Sequence, residues 1–336
     1  MRRLGLIARA DQGGIAAQSW QFARRMRPEK ILVVHTEHDT RGKAKPEIYG
    51  GLGKEMRTCR RAPRRADAEW LLGGVDVVFT IECFYGHEVP ILAQQRGVQT
   101  VIQGNPEMTG LGEMCDVMLA PTKWRLDALP GEPRLLPFPT DGELLPLRVR
   151  RGQIHDLYHV ASNAMCDRNG TELLLEALGH VTHEVTLWIR GGDRPANKVE
   201  HRGLVSVVWM GHWDGMFYDH WPVDMDALVL PRRYGGLCLP MQEAATLGLP
   251  IITLDVEPQR DWLPTASLVP ATVDHTEPMR GGQFDIYTCE ARRLAGAINM
   301  MIEDPSRAAY MRERSIAWAE SISWDALGDH YRDVFR

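Results

Sequence analysis

The stretch from residue 230 to residue 254 combines residue types that can bind a phosphate group. It reads Leu-Pro-Arg-Arg-Tyr-Gly-Gly-Leu-Cys-Leu-Pro-Met-Gln-Glu-Ala-Ala-Thr-Leu-Gly-Leu-Pro-Ile-Ile-Thr-Leu. The pattern predicts a strand, a glycine loop at Gly235 and Gly236, and a helix that begins at Pro240. Backbone N–H groups and the positive end of the helix dipole would then favour a diphosphate. Glu243, one turn into the helix, could accept hydrogen bonds from sugar hydroxyls.

A second strand-loop-helix junction covers residues 161 to 172 and reads Ala-Ser-Asn-Ala-Met-Cys-Asp-Arg-Asn-Gly-Thr-Glu. Arg168 is the cation of this loop, and a guanidinium suits bidentate recognition of phosphate. Arg190, which is followed by two glycines, ends another strand and could face the same ligand. A solvated arginine at a helix start or a glycine turn is the alternative interpretation for each.

The first half of the chain offers its own polar residues at strand ends. Asp11, Gly13 and Gly14 join the first strand to the first helix, where the backbone could approach a phosphate or an acceptor. Glu82 ends a later strand and could orient hydroxyl groups, although a capping role is equally open. We therefore predict Arg168, Glu82 and Asp11 as catalytic candidates.

These residues require an alternating α/β framework. Strand-like runs alternate with helix-like segments, which favours parallel sheets. The predicted strands are 3–9, 31–35, 75–81, 98–103, 116–120, 157–161, 185–190, 205–210, 227–230 and 251–254. The predicted helices are 14–26, 66–73, 87–96, 123–129, 171–178, 240–248, 289–303 and 323–335. Two doubly wound units follow, with ligands expected beyond the carboxyl ends of the strands and a cleft between the units as the default active site.

Charge is distributed unevenly along the 336 residues. Residues 1–150 hold 22 basic and 18 acidic side chains, whereas residues 151–336 hold 17 and 26. Within residues 41–65 there are nine basic and two acidic side chains. A solvated loop and helix face is the simpler interpretation, and a site for a polyanionic acceptor is the alternative. The candidate acceptor-binding residues are Arg57, Arg60, Arg61, Arg64 and Arg65.

Several classes of protein and site are disfavoured. No apolar run approaches the roughly 18 residues that span a bilayer, and the N-terminus lacks the pattern of a signal peptide, so we expect a cytoplasmic protein. The six cysteines are scattered and predict free thiols. His180 and His183, and the pair Asp224 and Asp226, superficially suggest metal ligands, but both fall where structural roles are ordinary. We predict no metal site.

The residues from Gly235 to Ala244 resemble the pattern Glu-Gly-Phe-Gly-Leu-Pro-x-Leu-Glu-Ala of glycosyltransferase family four, which has the GT-B fold. The element order of residues 154–333 is similar too, and certain bacteriophage-encoded glycosyltransferases are a closer likeness. The resemblance implies that Glu243 binds the donor ribose and that the nucleotide base meets backbone groups near Met210. It implies a phosphate-binding loop formed by Gly235, Gly236, Leu237, Cys238 and Leu239.

Two departures from the family pattern bear on activity. Gly235 replaces the first glutamate, so its carboxylate near the transferred sugar is missing. Asn163 and Asn169 stand where the family has cations that meet the diphosphate, which leaves Arg168 for that role. The backbone amides of the glycine loop do not depend on side-chain identity. Phosphate binding is therefore the firmer expectation.

The combined prediction is a hexosyl- or pentosyltransferase that uses a nucleoside diphosphate sugar, most simply a UDP-sugar, with retention of configuration and without a cofactor. Residues 1–148, joined by a C-terminal helix within 321–336, would bind the acceptor, and residues 149–320 the donor. The basic region and the phage likeness suggest DNA with hydroxylated bases as acceptor. A protein, glycan or lipid-linked acceptor, or a non-catalytic nucleotide-sugar-binding module, remains open. The oligomeric state is not predicted.

Overall fold

The computed structural model of the chain divides into two compact units. The first comprises Met1–Pro139, Arg280–Gly282 and Leu327–Arg336, and the second Thr140–Met279 and Gln283–Ala326. The structure describes residues 2–11, 13–35, 45–108, 115–146, 152–161, 165–192, 195–211, 221, 224–279 and 282–336. No helix within these ranges has the length and apolar character needed to cross a membrane.

The first unit contains a seven-stranded parallel sheet in the order β3-β2-β1-β4-β5-β6-β7. Its strands are β1 (Leu4–Arg9), β2 (Lys30–Val34), β3 (Glu55–Cys59), β4 (Val77–Ile81), β5 (Gln99–Gln103), β6 (Val117–Ala120) and β7 (Arg134–Leu135). The helices are α1 (Gly14–Met26), α2 (Arg65–Leu72), α3 (Glu88–Arg96) and the last helix of the chain, α9 (Trp324–Val334). The carboxyl ends of all seven strands therefore share one edge of this sheet.

Aromatic side chains attach the end of the chain to this sheet. Phe22 stacks on Phe79 with ring centroids 4.2 Å apart, and the Phe335 ring lies 5.6 Å from each. The Tyr331 hydroxyl donates to Oε1 of Gln103 at 2.7 Å. Buried aromatic rings contribute large apolar areas, so these contacts fix the C-terminal segment on the first unit.

The second unit contains another seven-stranded sheet, in the order β10-β11-β9-β8-β12-β13-β14, which is parallel except for the β10–β11 pair. Its strands are β8 (Asp156–Val160), β9 (Val185–Arg190), β10 (Val199–Arg202), β11 (Val205–Gly211), β12 (Ala227–Val229), β13 (Ile251–Leu254) and β14 (Leu268–Val269). A separate two-stranded sheet pairs β15 (Thr272–Met279) with β16 (Gly282–Thr288). The helices are α4 (Thr171–Ala177), α5 (Leu239–Thr246), α6 (Gln259–Trp262), α7 (Ala291–Glu303) and α8 (Pro305–Ser321).

Several parts of the predicted element list need correction, and helices α6 and α8 were also not predicted. The helix expected at 123–129 is a single 3-10 turn, Leu126–Ala128, that buries no residue. The basic region contains the edge strand β3 in addition to a loop and the start of α2. The short edge strands and the hairpin β15–β16 were not predicted, because their largely exposed side chains produce no apolar periodicity.

Candidate functional site

The glycine loop of the second unit lies between the end of β12 and the start of α5. Cys238 is the N-cap of α5, and Pro240 lies in the first helical turn, where a missing N–H costs nothing. Gly235 has a φ of 106°, a backbone conformation that L side chains rarely adopt. The resembled pattern has its first glutamate at this position. The backbone conformation of the loop disfavours a side chain here, which explains why this chain has glycine.

Glu243 is 4% exposed, and its carboxylate is held inside the unit. Oε2 accepts a hydrogen bond from Nε1 of Trp221 at 2.6 Å. The ring of Trp221 lies 4.9 Å from that of Tyr158, and burial raises the pKa of Tyr158 to about 12. Trp221 is thus a hydrogen-bonding partner of the carboxylate predicted to bind ribose, a contact that was not predicted from the sequence.

Arg168 belongs to the second strand-loop-helix junction and lies next to the glycine loop of the first. Its guanidinium carbon is 5.0 Å from the centroid of the Tyr234 ring, a cation–π arrangement. Its carbonyl accepts a hydrogen bond from the Arg233 N–H at 2.8 Å. Asp167 caps α4 by accepting from the N–H groups of Thr171 and Glu172 at 2.8 and 2.9 Å. These contacts hold residues 167–172 in place and keep Arg168 against the Tyr234 ring.

Arg232 is a buried cation that the sequence interpretation missed. It is 4% exposed, and its guanidinium donates to Oδ1 of Asn169 at 3.0 Å and to the Leu237 carbonyl at 3.4 Å. Both acceptors are neutral, and no carboxylate of the described ranges forms an ion pair with it. Transfer of an uncompensated charge from water into a protein is costly, so this position favours an anionic ligand.

The positive charges of Arg232 and Arg168 both act on the buried thiol of Cys238. Burial raises the pKa of Cys238, and the positive charges of Arg232 and Arg168 oppose that shift. Both cations are therefore close to the N-cap of α5, where the helix dipole also attracts negative charge. This set, Arg168, Arg232 and the start of α5, is called the cationic seat below.

Of the two asparagines that stand where the resembled pattern has cations, the structure describes Asn169. Asn163 lies outside the described residues. Asn169 is 5% exposed and donates from Nδ2 to the Val160 carbonyl at 2.8 Å, while its oxygen accepts from Arg232. Asn169 therefore orients the buried guanidinium of Arg232.

Close backbone contact holds the two junctions together. Gly170 has a φ of 69°, and a Cβ atom placed there would lie 2.3 Å from the carbonyl oxygen of Pro231. His159 on β8 bonds the Val229 carbonyl and the Thr171 hydroxyl, both at 2.9 Å. Burial lowers the pKa of His159 to about 4, so its imidazole is neutral at pH 7. These contacts fix the distance between Arg168 and Arg232.

Arg190 and Met210 meet at the ends of the neighbouring strands β9 and β11. Nη2 of Arg190 lies 3.8 Å from Sδ of Met210, and the Arg190 side chain is 9% exposed. The positive charge of Arg190 also acts on Tyr158, opposing the increase of its pKa by burial. Arg190 thus lies near the Tyr158–Trp221 pair that accompanies Glu243.

In the first unit, the Asp11 carboxylate is engaged within its own loop. Oδ1 accepts from the Gly13 N–H at 2.8 Å, Oδ2 pairs with Arg9, and the residue is 4% exposed. Gly13 is the N-cap of α1 and Gly14 its first residue. These contacts give Asp11 a loop-shaping role, and its catalytic role stays a prediction.

Glu82 lies at the carboxyl end of β4 with a φ of 68°. Its Oε1 accepts from Nδ2 of Asn105 at 3.1 Å. Tyr85 also has a left-handed backbone, with a φ of 60°, and its ring lies 5.4 Å from the Arg9 guanidinium. Non-glycine residues in this region concentrate at functional sites, which keeps Glu82 a candidate for orienting the acceptor.

The five predicted acceptor-binding arginines divide into two groups. Arg61 and Arg57 approach Asp67 at 2.7 and 3.9 Å, and Arg65 pairs with Glu69 at 3.1 Å. Although desolvation opposes it, the hydrogen bond from Arg61 lowers the pKa of the Asp67 carboxyl. Arg60 and Arg64 are exposed and show no ion pair to the described residues. The positive charge of these five arginines is thus partly neutralised, and Arg60 and Arg64 are the two of them that pair with no carboxylate of the described residues.

The residues that superficially suggested metal ligands have structural partners. Asp226 accepts from the N–H groups of His155 and Asp156, both at 2.9 Å. His183 pairs with Glu303 at 2.8 Å. These contacts give Asp226 and His183 partners within the protein.

Comparison with protein families gives a match for part of the second unit. Residues 155–275 match the model of a family described as Glycosyl transferases group 1. This span runs from β8 into the hairpin and includes Glu243 and the cationic seat. The match agrees with the predicted enzyme class. No curated protein matches the chain in sequence.

Solved structures with low sequence identity share the fold. Sucrose-phosphate synthase from Thermosynechococcus elongatus is 17% identical with a TM-score of 0.68, over 100% of this chain and 99% of that one. HepE of Anabaena in complex with UDP-glucose is 11% identical with a TM-score of 0.73, over 100% and 99%. The lipopolysaccharide outer core galactosyltransferase WaaB, in its apo form, is 14% identical with a TM-score of 0.62, over 99% and 98%. The predicted GT-B fold is confirmed.

Proposed function

We propose that the protein transfers a sugar from a nucleoside diphosphate sugar that binds at the cationic seat of the second unit. The buried guanidinium of Arg232, which has only neutral acceptors in the described part of the chain, is the observation that carries the proposal. A diphosphate would supply the missing negative charge. Arg168 and the N–H groups at the start of α5 would share it.

The same groups fit the chemistry of sugar transfer. Negative charge grows on the diphosphate as the bond to the sugar breaks, and preorganised cations stabilise that charge in a site from which water is excluded. Glu243 would bind the ribose hydroxyls, in keeping with its family position. We further propose that residues 149–320 bind the donor, that residues 1–148 with 321–336 bind the acceptor, and that the anomeric configuration is retained.

Titration with nucleotides tests the donor. UDP is the first nucleotide to try, because HepE was solved in complex with UDP-glucose. We expect UDP and a UDP-sugar to bind with micromolar Kd by calorimetry and UMP to bind much more weakly, because the seat recognises the diphosphate. Proton NMR of the product with an accepted substrate would show the anomeric configuration. Binding of UMP and UDP with equal affinity would contradict the cationic seat.

We propose DNA with hydroxylated bases as the acceptor, which fits a phage-encoded enzyme. The exposed arginines beside α2 support a polyanionic partner. Charge reversal at Arg60 and Arg64 together should weaken binding of hydroxymethylated DNA. It should also reduce the slope of log K against log salt by about one for each phosphate that the protein no longer neutralises. Neither residue forms an ion pair to the described residues, so the fold should tolerate the change.

Arg134→Glu is the matched control for this experiment. Arg134 is exposed on β7, at the edge of the same sheet opposite β3, so its reversal tests the effect of charge away from α2. We expect little effect on DNA binding. Equal losses of affinity per reversed charge in both variants would indicate non-specific attraction. Transfer to a glycan or protein that does not respond to salt would contradict the DNA proposal.

A further inference from the structure

Three potential metal ligands meet where the loop before α4 approaches the hairpin β15–β16. The Sγ of Cys166, an imidazole nitrogen of His275 and a carboxylate oxygen of Glu277 all lie within 4.8 Å of one another. The cysteine is more than 100 residues from the other two ligands in sequence. Spacing could not reveal this cluster, and no metal site was predicted from the sequence.

Local geometry explains how the ligands converge. His275 and Glu277 are two residues apart on β15, and alternate residues of a strand project to the same face. Cys166 has a φ of 56°, a left-handed conformation that is rare outside glycine. A residue held in this way within an ordered loop requires support from its surroundings, and such residues cluster at functional sites.

The histidine has the outer partner that metal-bound imidazoles usually have. Nδ1 of His275 lies 3.1 Å from Oδ2 of Asp274, so Nε2 is the ring nitrogen that remains for a metal. Asp274 is itself fixed by Arg233, whose Nη2 donates to the same oxygen at 2.6 Å. A carboxylate that orients the ring and raises its basicity is the common outer arrangement at zinc sites.

From these contacts we propose that Cys166, His275 and Glu277 bind a divalent cation of the zinc type. A thiolate, an imidazole and a carboxylate form a donor set that Zn²⁺ accepts, with water as fourth ligand. Bonds of about 2.0–2.3 Å place tetrahedral ligand atoms roughly 3.5 Å apart, so the side chains need to close by about 1 Å. The Cys166 thiol releases its proton on binding.

The cation would fix the hairpin to the loop before α4. The two segments already share Arg233, which donates from Nε to the Tyr287 carbonyl at 2.8 Å and from Nη1 to the Cys166 carbonyl at 3.1 Å. Arg168 follows Cys166 by two residues, so the metal would also restrict the cation of the donor site. This last step rests on the proposed function, whereas metal binding does not.

Titration of the tag-free protein with Co²⁺ tests the site directly. We expect one equivalent to bind, with a near-ultraviolet thiolate-to-cobalt charge-transfer band that disappears when Zn²⁺ is added. Zn²⁺ alone should raise Tm, and a chelator should reverse the increase. These measurements need no nucleotide, so their failure would be separate from failure of the transferase proposal.

Substitution of the proposed ligands and of the outer carboxylate tests which side chains bind the metal. Cys166→Ser should remove the charge-transfer band, His275→Ala should weaken Zn²⁺ binding at least tenfold, and Asp274→Asn should weaken it by about 10- to 100-fold. His275 is exposed, so its replacement should leave the fold intact if Cys166→Ser does not fold. Cys289→Ser is the control, because this thiol of the same unit lies outside the cluster. Absence of the band in wild type, or its survival in Cys166→Ser, would overturn the proposal.

Discussion

Replacement of Arg232 by methionine is expected to weaken UDP-sugar binding by about 30- to 1000-fold while the unfolding free energy stays within about 1 kcal/mol of wild type. Loss of a buried charge-assisted contact with the diphosphate costs about 2–4 kcal/mol of binding. In the free protein, by contrast, the guanidinium has only the neutral acceptors Asn169 and Leu237 within the described ranges. Removal of a poorly compensated buried charge offsets the loss of those two hydrogen bonds.

Calorimetry and denaturant unfolding of the same samples measure the two quantities. Arg232→Lys keeps the charge but not the planar fork, so it should recover part of the affinity. Arg202→Met, on the edge strand β10, removes an exposed arginine and should change neither quantity. Parallel losses of affinity and stability in Arg232→Met would assign the residue to the fold, and unchanged affinity would contradict the diphosphate site.

The sequence predicted the framework best where an element combines regular apolar spacing with flanking glycines. The predicted helix 14–26 and strand 185–190 coincide with α1 and β9, because apolar spacing and glycine breaks mark them clearly. Helix α8 was missed, although it has 17 residues. Its buried positions include Ala308, Ser315 and Ala319, small residues that produce a weak apolar signal.

The candidate site was predictable only for residues that lie on a motif. Glu243 and Arg168 follow from the strand-loop-helix pattern. Arg232 does not follow from it. Two consecutive arginines before a glycine loop predict solvent-exposed side chains, and only the structure shows that Arg232 is buried.

Contacts between residues far apart in the chain could not be predicted from the sequence for a different reason. The bond between Trp221 and Glu243 joins residues from two separate segments, and neither residue type requires the other. The approach of Cys166 to the hairpin is similar. Such contacts depend on how loops fold over the strand ends, and residue spacing along the chain contains no information about that.

Loss of ribose recognition is the expected result of Glu243→Gln. A hydrogen bond from a hydroxyl group to a buried carboxylate contributes about 1.5–3 kcal/mol, whereas one to a neutral amide contributes about 0.5–1.5 kcal/mol. The difference is about 1–1.5 kcal/mol, so we expect the Kd for UDP to increase about 5- to 13-fold. Glutamine has nearly the same shape, and its oxygen can still accept from Trp221, so the packing of α5 should be retained.

Comparison of UDP with 2′,3′-dideoxy-UDP separates a binding role from a structural one. Wild type should prefer UDP by about the factor that Glu243→Gln loses, and the variant should bind the two nucleotides almost equally. Trp221→Phe provides the control, because it removes the donor to Oε2 while the carboxylate remains, so the preference for ribose should persist. A variant that binds both nucleotides weakly but still discriminates between them would show that Glu243 supports the fold of the site and does not contact the ribose.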